Sequence, residues 1–309
     1  MKVFNRNKAS KDTAAVLKSR TKETKILFIC VFVIFTIYAI SLIFPFIVLL
    51  INSLKGGLEY ITDLNDKNIL RFPDKMLFSN YKAAFTSMAM VNSIGFKVYL
   101  PEMFVNSFIY ALLTSFASAF CSTLTGYALA KYDFKLRSLL YGISIVTLTI
   151  PIVGNMAAVM KLTYAIGIYN TVFYPILMNF GGFGFNFLIL YGFFKNVSWS
   201  YGEAAFIDGA NHFDVFFKIM FPQVVPTVLT LVVVSFIGAW NDYQTVLLYL
   251  PDLPTLAAGL YRIEQSIKRG GNYPIYFAGI LISIVPVLIM FVCCFDAIMQ
   301  NYSIGGLKG

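Results

Sequence analysis

Residues 26–51 read Ile26-Leu-Phe-Ile-Cys-Val-Phe-Val-Ile-Phe-Thr-Ile-Tyr-Ala-Ile-Ser-Leu-Ile-Phe-Pro-Phe-Ile-Val-Leu-Leu-Ile51, 26 positions without Asp, Glu, Lys or Arg. A helix of about 20 apolar residues crosses a bilayer, so this run spans one. Five further uncharged runs are long enough: Met103 to Ala130, Ser138 to Met160, Leu162 to Phe194, Ile219 to Asn241 and Gly270 to Phe295. The next longest, Ala83 to Phe96, is too short and is expected to be an interfacial helix. The fold class is therefore an all-α integral membrane protein of six transmembrane helices, at 26–51, 103–130, 138–160, 172–194, 223–248 and 274–298. A basic tail (1–25), two outer loops (52–102 and 249–273), an inner segment (200–222) and a short C-terminal tail (299–309) complete it. Of the 309 residues 58% are hydrophobic and 13% charged, where soluble domains carry about 25% charged residues. An ordinary soluble enzyme is excluded.

The net charge of +9 does not indicate nucleic acid, because eight of the 24 Lys and Arg residues lie in the first 25 positions, directly before the first apolar run. Basic flanks stay on the cytoplasmic side, and a run this long with no small-residue cleavage site reads as a signal anchor. With six spans both termini are expected in the cytoplasm. The loop Lys131-Tyr-Asp-Phe-Lys135-Leu-Arg137 then also falls inside, with three basic residues against one acidic.

The four cysteines (Cys30, Cys121, Cys293, Cys294) sit in apolar runs without ligand-like neighbours and read as packing residues. A single histidine, His212, removes His-based triads and metal clusters, and GxxxxGK[ST] is absent. No catalytic residue, metal or cofactor is assigned to the chain. His212 reads as a solvated loop residue. Within the spans, Asn106, Ser107, Thr114, Ser115 and Ser118 call for protein or water contact, Pro151 and Gly154 should kink the third span, and Gly181-Gly182-Phe-Gly184 marks either close packing or a break beside a permeation route. Ionisable residues lie near span ends, as Asp242 and Asp296 do, which disfavours the alternative of an ion-coupled secondary carrier or channel.

The segment Ser200-Tyr-Gly-Glu203-Ala204-Ala205-Phe-Ile-Asp208-Gly209-Ala-Asn211-His-Phe213-Asp-Val-Phe216-Phe217-Lys-Ile219-Met-Phe-Pro222 has its own local logic. Ser200 with Glu203 is a capping-box pattern, Gly209 suits a left-handed helix stop, and Asn211 with Asp214 can cap a second short helix that ends before Pro222. Phe213, Phe216, Phe217 and Met220 fall at the spacing of one helical face. That stripe buries itself either on the inner ends of the chain's own spans or in a groove on a partner.

Glu203-Ala204-Ala205, three residues to Gly209, nine to Ile219 and Pro222 beyond resemble the EAA motif of permease subunits of bacterial ABC importers, with Phe221 standing for the motif's leucine. The resemblance covers most of the chain and leans to the carbohydrate branch, through Asn52-Ser-Leu-Lys55, Asn80-Tyr81, Asn106-Ser107, Tyr127-Ala-Leu-Ala130, Gly167-Ile-Tyr-Asn-Thr171, Trp240-Asn-Asp242 and Gly306-Leu-Lys-Gly309. Ser198 and Gly202 depart from the family's usual proline and second acidic residue.

The resemblance implies a type I permease fold in the bacterial cytoplasmic membrane, surrounded by lipid. It implies four kinds of partner: a second homologous permease, two ATP-binding subunits that carry the ATP and magnesium, an extracytoplasmic solute-binding protein, and a sugar or oligosaccharide substrate. Glu203 and the neighbouring Asp208 then anchor the segment on the ATPase, Ala204 and Ala205 permit close approach, and Gly209 makes the bend. Phe213, Phe216, Phe217 and Ile219 divide between docking and packing, and Pro222 opens the fifth span. Arg262, Glu264, Lys268 and Arg269 are the candidates for meeting the binding protein. Asn155, Asn179, Asn186 and Asp242 are candidates for the translocation path, or serve only to bond neighbouring helices.

Overall fold

The computed structural model describes residues 22–150, 154–268 and 271–304, and the chain divides into two compact units, Met1–Met76 and Leu77–Gly309. In the first, α1 (Lys22–Ser53) carries the uncharged run and α2 (Gly57–Asn65) follows a short turn. The Asn52-to-Lys55 stretch closes the end of α1. Asn52 donates to the carbonyls of Val48 (2.8 Å) and Ile69 (3.0 Å), and the fully buried Lys55 ammonium lies 2.8 Å from Asp63. Arg71 reaches the same carboxylate at 3.5 Å and Asp74 at 2.8 Å, while Glu59 accepts from the backbone N–H of Gly56 and of Asp74. Lys55, foremost by its hydrogen bond and then by its charge, holds the Asp63 carboxyl below the usual carboxylate range, with Arg71 adding to the effect.

The second unit runs α3 (Ser79–Ser87), the hairpin β1 (Ala89–Val91) and β2 (Lys97–Tyr99), then α4 (Leu100–Lys131), α5 (Arg137–Thr149), α6 (Met156–Ala165), α7 (Tyr174–Met178) and α8 (Phe185–Asn196). It continues through α9 (Ser200–Ile207), α10 (His212–Trp240), α11 (Gln244–Tyr249), α12 (Leu256–Ile267) and α13 (Tyr273–Ile304). Two hydrophobic cores lie at opposite ends of α4 and α10, which pack antiparallel. One joins Leu100, Met103 and Tyr110 to Phe236, Trp240, α12 and the start of α13; the other joins Tyr127 to Phe194, Ala205 and Val215 through Leu231. Close approaches use glycine: a Cβ on Gly126 of α4 would lie 3.1 Å from the Tyr191 nitrogen of α8, and one on Gly279 of α13 would lie 2.6 Å from Met88 sulfur.

Among the described residues four helices are long and apolar enough to cross a membrane: Thr24–Ser53, Leu100–Lys131, His212–Trp240 and Tyr273–Phe295. The runs expected as the third and fourth spans are each divided. The third is not one kinked helix: α5 ends at Thr149 and α6 begins at Met156, with Gly154 between them at φ +84°, a conformation no helix continues. Pro151 lies outside the described residues. In the fourth, α7 and α8 are separated by Gly182 at φ +63° and Gly184 at φ +145°. Gly182 is pressed against α4, whose Thr125 hydroxyl donates to the Gly182 carbonyl at 2.8 Å.

The stretch Ala83 to Phe96 is not an interfacial helix. α3 ends at Ser87 and the chain turns into a hairpin with Met90 opposite Val98. Asn92 accepts the Phe96 N–H on its side chain (2.8 Å), and Gly95 takes φ +95°, the turn chemistry that an Asn and a Gly supply. Ser93 at this turn donates to Asp252, which also accepts from Asn170. Asn170 itself sits at φ +57° and donates its backbone N–H to the Tyr249 carbonyl (2.8 Å). The hairpin, the Gly167-to-Thr171 turn and the loop after α11 are thus tied at one carboxylate, and the Ser93 hydroxyl foremost keeps Asp252 below the usual carboxylate range.

Both depressed carboxyls bind protons less readily folded than unfolded, so their contributions to stability are full above about pH 4 and are lost as pH falls through the folded values. The melting temperature of the detergent-solubilised protein should therefore hold from neutral pH down to about 5 and drop below about 4. Asp252→Asn should melt lower at pH 7 and show a smaller acid drop, measured by thermal unfolding across pH.

Candidate functional site

The Ser200–Glu203 capping box expected at the start of the 197–222 segment does not form: Trp199 is the N-cap and makes no side-chain cap bond, and the Ser200 hydroxyl pairs with that of Ser198 at 2.7 Å, while the glycine stop and the Asn211 cap form as local rules prescribe. Trp199 precedes α9, with Gly202 and Glu203 donating their N–H groups to the Trp199 carbonyl at 2.8 and 3.1 Å. α9 ends in a Schellman pattern: Ala210 N–H bonds the Ala205 carbonyl (2.9 Å), Gly209 N–H bonds that of Phe206 (3.0 Å), and Gly209 takes φ +85°. Asn211 then caps α10, its side chain accepting the Asp214 N–H at 2.9 Å.

Two expectations for the second half are corrected. The second helix does not stop before Pro222: it runs on through it to Trp240. Val215–Met220 is wound as a π-helix, with Phe221 N–H reaching back to the Phe216 carbonyl. Pro222 has no N–H to give, and this wider turn immediately before it accommodates the ring within a continuous helix. The wider turn also splits the aromatic stripe. Phe216 and Met220 are buried, at 5% and 0% exposure, whereas Phe213 and Phe217 are 76% and 51% exposed. At more than four residues per turn, positions 213 and 217 share one face and 216 and 220 another.

The ten residues expected in this segment therefore sort onto two sides. Ala205, Phe216 and, in part, Ile219 belong to the core against Tyr127 of α4 and Leu190 and Phe194 of α8; the Tyr127 and Phe216 rings lie 4.8 Å apart. Glu203, Ala204, Asp208, Gly209, Phe213, Phe217 and Pro222 face outward, next to Ile207, which is 86% exposed. Two carboxylates on an apolar surface make a face suited to an apolar groove with a basic rim. Gly202, where the family more often has an acid, is buried: a Cβ there would lie 3.1 Å from the Trp199 ring and 3.4 Å from the end of Met220.

Sequence reasoning passed over the residues that hold this core. Trp199 stacks edge-on to Tyr132 and Phe206, and Tyr127 to Tyr132 and Phe194. His212 is not merely solvated: its Nδ1 lies 2.9 Å from the Tyr132 hydroxyl and its ring 4.9 Å from Phe206. The signal was the Tyr-rich end of the Tyr127-to-Ala130 motif with Lys131-Tyr132 behind it.

The other candidates lie elsewhere. Arg262 and Glu264 are on α12 and Lys268 caps its end; the helix is capped at its start by Thr255 and held by Ser107, which accepts the Leu256 N–H (2.6 Å), and by Asn106, which donates to the Pro254 carbonyl (3.1 Å). Glu264 pairs with Lys268 at 2.8 Å and raises its ammonium above the usual value. Arg262 borders a cavity of about 550 Å³ between α12 and the hairpin. Arg269 lies outside the described residues. Asn186 of α8 donates to Ser118 of α4 (3.2 Å) and Ser235 of α10 (3.1 Å). Asp242 accepts from Tyr110 (3.1 Å) and from the Thr245 N–H that starts α11 (3.0 Å). Asn179 bonds the Pro175 carbonyl in its own helix (2.8 Å), and Asn155 is exposed before α6.

Long apolar helices bonded to one another through their polar residues, with a short elbow packed on three of them and an exposed apolar face, have the build of a membrane-embedded subunit. The chain belongs to the family of binding-protein-dependent transport system inner membrane components, which matches residues 122–299. It is an ABC-importer permease. It is 28% identical to the sulfoquinovosyl glycerol transport system permease of Agrobacterium fabrum over 90% of this chain and 93% of that one. It is likewise 28% identical to the melibiose/raffinose/stachyose import permease of Bacillus subtilis, covering 94% and 99%, and to the arabinooligosaccharides permease of the same organism, covering 89% and 94%. The fold matches a chain in the crystal structure of a bacterial ABC transporter involved in import of the acidic polysaccharide alginate, at TM-score 0.71 and 20% identity over 90% of this chain and 98% of that one.

The two-sided segment yields a direct comparison. Phe216→Ala should cost about 3 kcal/mol or more of stability by emptying the core. Phe213→Ala and Phe217→Ala should change it by less than about 0.5 kcal/mol. Melting of the solubilised variants measures both.

Proposed function

We propose that this permease passes a sugar or oligosaccharide through the bacterial cytoplasmic membrane by alternating access, paired with a second homologous permease and driven by two ATP-binding subunits that hold the nucleotide and magnesium. The single observation that carries the coupling is the outward face of Glu203, Ala204, Ile207, Asp208, Phe213 and Phe217 on a segment whose other side is fused to α4, α8 and α10. Glu203 and Asp208 offer charge to basic residues on the ATPase, and the exposed Phe rings fill an apolar cleft. Closure of the ATPase pair moves the segment as a body. α10 follows without a joint, because the helix that bears Phe213 is the one that crosses the membrane.

The basic residues before α1 support both termini in the cytoplasm, which puts the 197–222 segment on the ATPase side and α12 with the hairpin on the outside. There Arg262, Glu264, Lys268 and Arg269 are the charged groups offered to the solute-binding protein. The sugar assignment rests on the relatives, whose names specify sulfoquinovosyl glycerol, arabinooligosaccharides and the melibiose series. Asn186 and Asp242 are each bonded to neighbouring helices, and we assign them to holding the path's walls more than to the sugar itself.

Glu203→Arg and Gly209→Pro should both break the coupling, the first by reversing the anchor's charge and the second because proline cannot adopt φ +85°. In the purified transporter reconstituted with its ATPase and binding protein, both should lose stimulation of ATP hydrolysis by the loaded binding protein and lose uptake. Full transport in either variant removes that residue from the mechanism.

A further inference from the structure

The turn that follows α4 touches the 197–222 segment at its start and again at its bend. Lys131, the last residue of α4, donates its ammonium to the carbonyl of Val197, which caps the C-terminus of α8 just before the segment begins. A cation is favoured there because carbonyls at a helix end lack partners and carry the negative end of the dipole. The next residue, Tyr132, places its hydroxyl 2.9 Å from Nδ1 of His212, the first residue of α10 beyond the segment's bend. Between these two bonds the Tyr132 ring packs edge-on to Trp199 and Tyr127, at 5.9 and 5.6 Å. Two adjacent residues of one helix end thus bracket α9 and the bend that follows it, and the chain's single histidine is one of the brackets.

We propose that Lys131 and Tyr132 are positioning residues that clasp the coupling segment to α4, so that a movement imposed on the segment reaches α4 as well as α8 and α10. This rests on the coupling role proposed above for the segment. α8 and α10 are joined to the segment covalently and must follow it. α4 is not, and it meets the segment only through the packing of Tyr127 and its neighbours and through these two polar bonds. The bonds are directional, and together they fix the register of α4 against the start of the elbow and its bend. α4 also holds the far loop through Asn106 and Ser107, so a clasped α4 carries the movement to the other face of the membrane.

The test uses the complete transporter, with ATPase and binding protein, in proteoliposomes, and reads sugar imported per ATP hydrolysed. Lys131→Met with Tyr132→Phe removes both polar bonds and keeps the ring. The double variant should import about threefold less sugar per ATP, or lower still. Lys131→Arg, which keeps a donor, should restore the ratio in a Tyr132 background. Tyr132→Phe and His212→Ala should not add to one another, since they break the same bond. An unchanged ratio in the double variant overturns the proposal, and a fall that Lys131→Arg shares overturns the part given to Lys131. If the double variant does not assemble, Tyr132→Phe alone decides by the same ratio. Glu203→Arg measured alongside separates the two readings: if it transports fully, the coupling role fails, and if it fails to transport while the clasp variants keep a normal ratio, only the clasp does.

Discussion

The burial of Phe216, Met220, Val215 and Ala205 on the ends of α4 and α8 is the constraint on which the rest depends. A segment of some 25 residues between two membrane helices would, without it, be a tether, able to bind a partner but not to transmit displacement. Phe216, Met220 and Val215 each contribute about 1.5–3 kcal/mol relative to exposure and the Ala205 methyl about 0.8 kcal/mol, and interiors packed to this density deform in discrete steps instead of yielding gradually. The elbow is therefore an extension of three helices. Gly202 belongs to the same constraint. An acidic side chain there would have to displace the Trp199 ring, so the departure from the family's usual residue trades a surface charge for a closer fit inside.

The opposite end of α4 adds a set of long-range hydrogen bonds to its own apolar core of Leu100, Met103, Phe236, Trp240 and Leu256. Asn106 and Ser107 accept or donate to the backbone that leads into α12, Tyr110 bonds Asp242, and Asp252 gathers Asn170 and Ser93. Polar groups in an apolar setting are costly when unmet and specific when met. Here they fix the direction in which the loops leave a core that also holds Leu250, Leu256, Ile263 and Ile267. Both ends of α4 thus combine an apolar core with directional polar bonds, made between side chain and loop backbone at the far face and by Lys131 and Tyr132 at the elbow.

The apolar runs at 26–51, 103–130 and 270–295 were legible because burial in a bilayer demands an unbroken stretch, and Gly209 because a Schellman stop needs a positive φ. The aromatic stripe misled because its spacing assumes 3.6 residues per turn. The π-winding at Val215–Met220 arises from the proline that follows together with packing on both sides, and a helical wheel contains neither. The hairpin at 89–99 was missed for the reverse reason. Its alternation is only three residues long on each side of Asn92–Phe96, and an uncharged stretch masks so short a period. His212 looked solvated because its partner, Tyr132, is 80 positions away.

The divided fourth span shows how such a chain keeps irregular backbone at membrane depth. Between α7 and α8 the helical bonds lapse, and a carbonyl freed in hydrocarbon costs several kcal/mol unless something meets it. Gly182 presents its carbonyl to the Thr125 hydroxyl of α4, whose single proton lies within reach of both this carbonyl and that of Cys121 in its own helix. The missing Cβ is what permits the approach, since one would lie 2.8 Å from Thr125 and 3.0 Å from the Cys121 oxygen. Gly182 itself is thereby turned toward protein, while Phe180, Gly181 and Phe183 on either side stay exposed. A few residues further on, Asn186 bonds Ser118 and Ser235, so α8 is fixed to α4 and α10 directly below its weakest point. α8 is then continuous from Phe185 to Asn196 and interrupted before it, so the change of backbone direction is confined to the Gly182–Gly184 stretch, where both glycines take positive φ, and the packed portion stays helical.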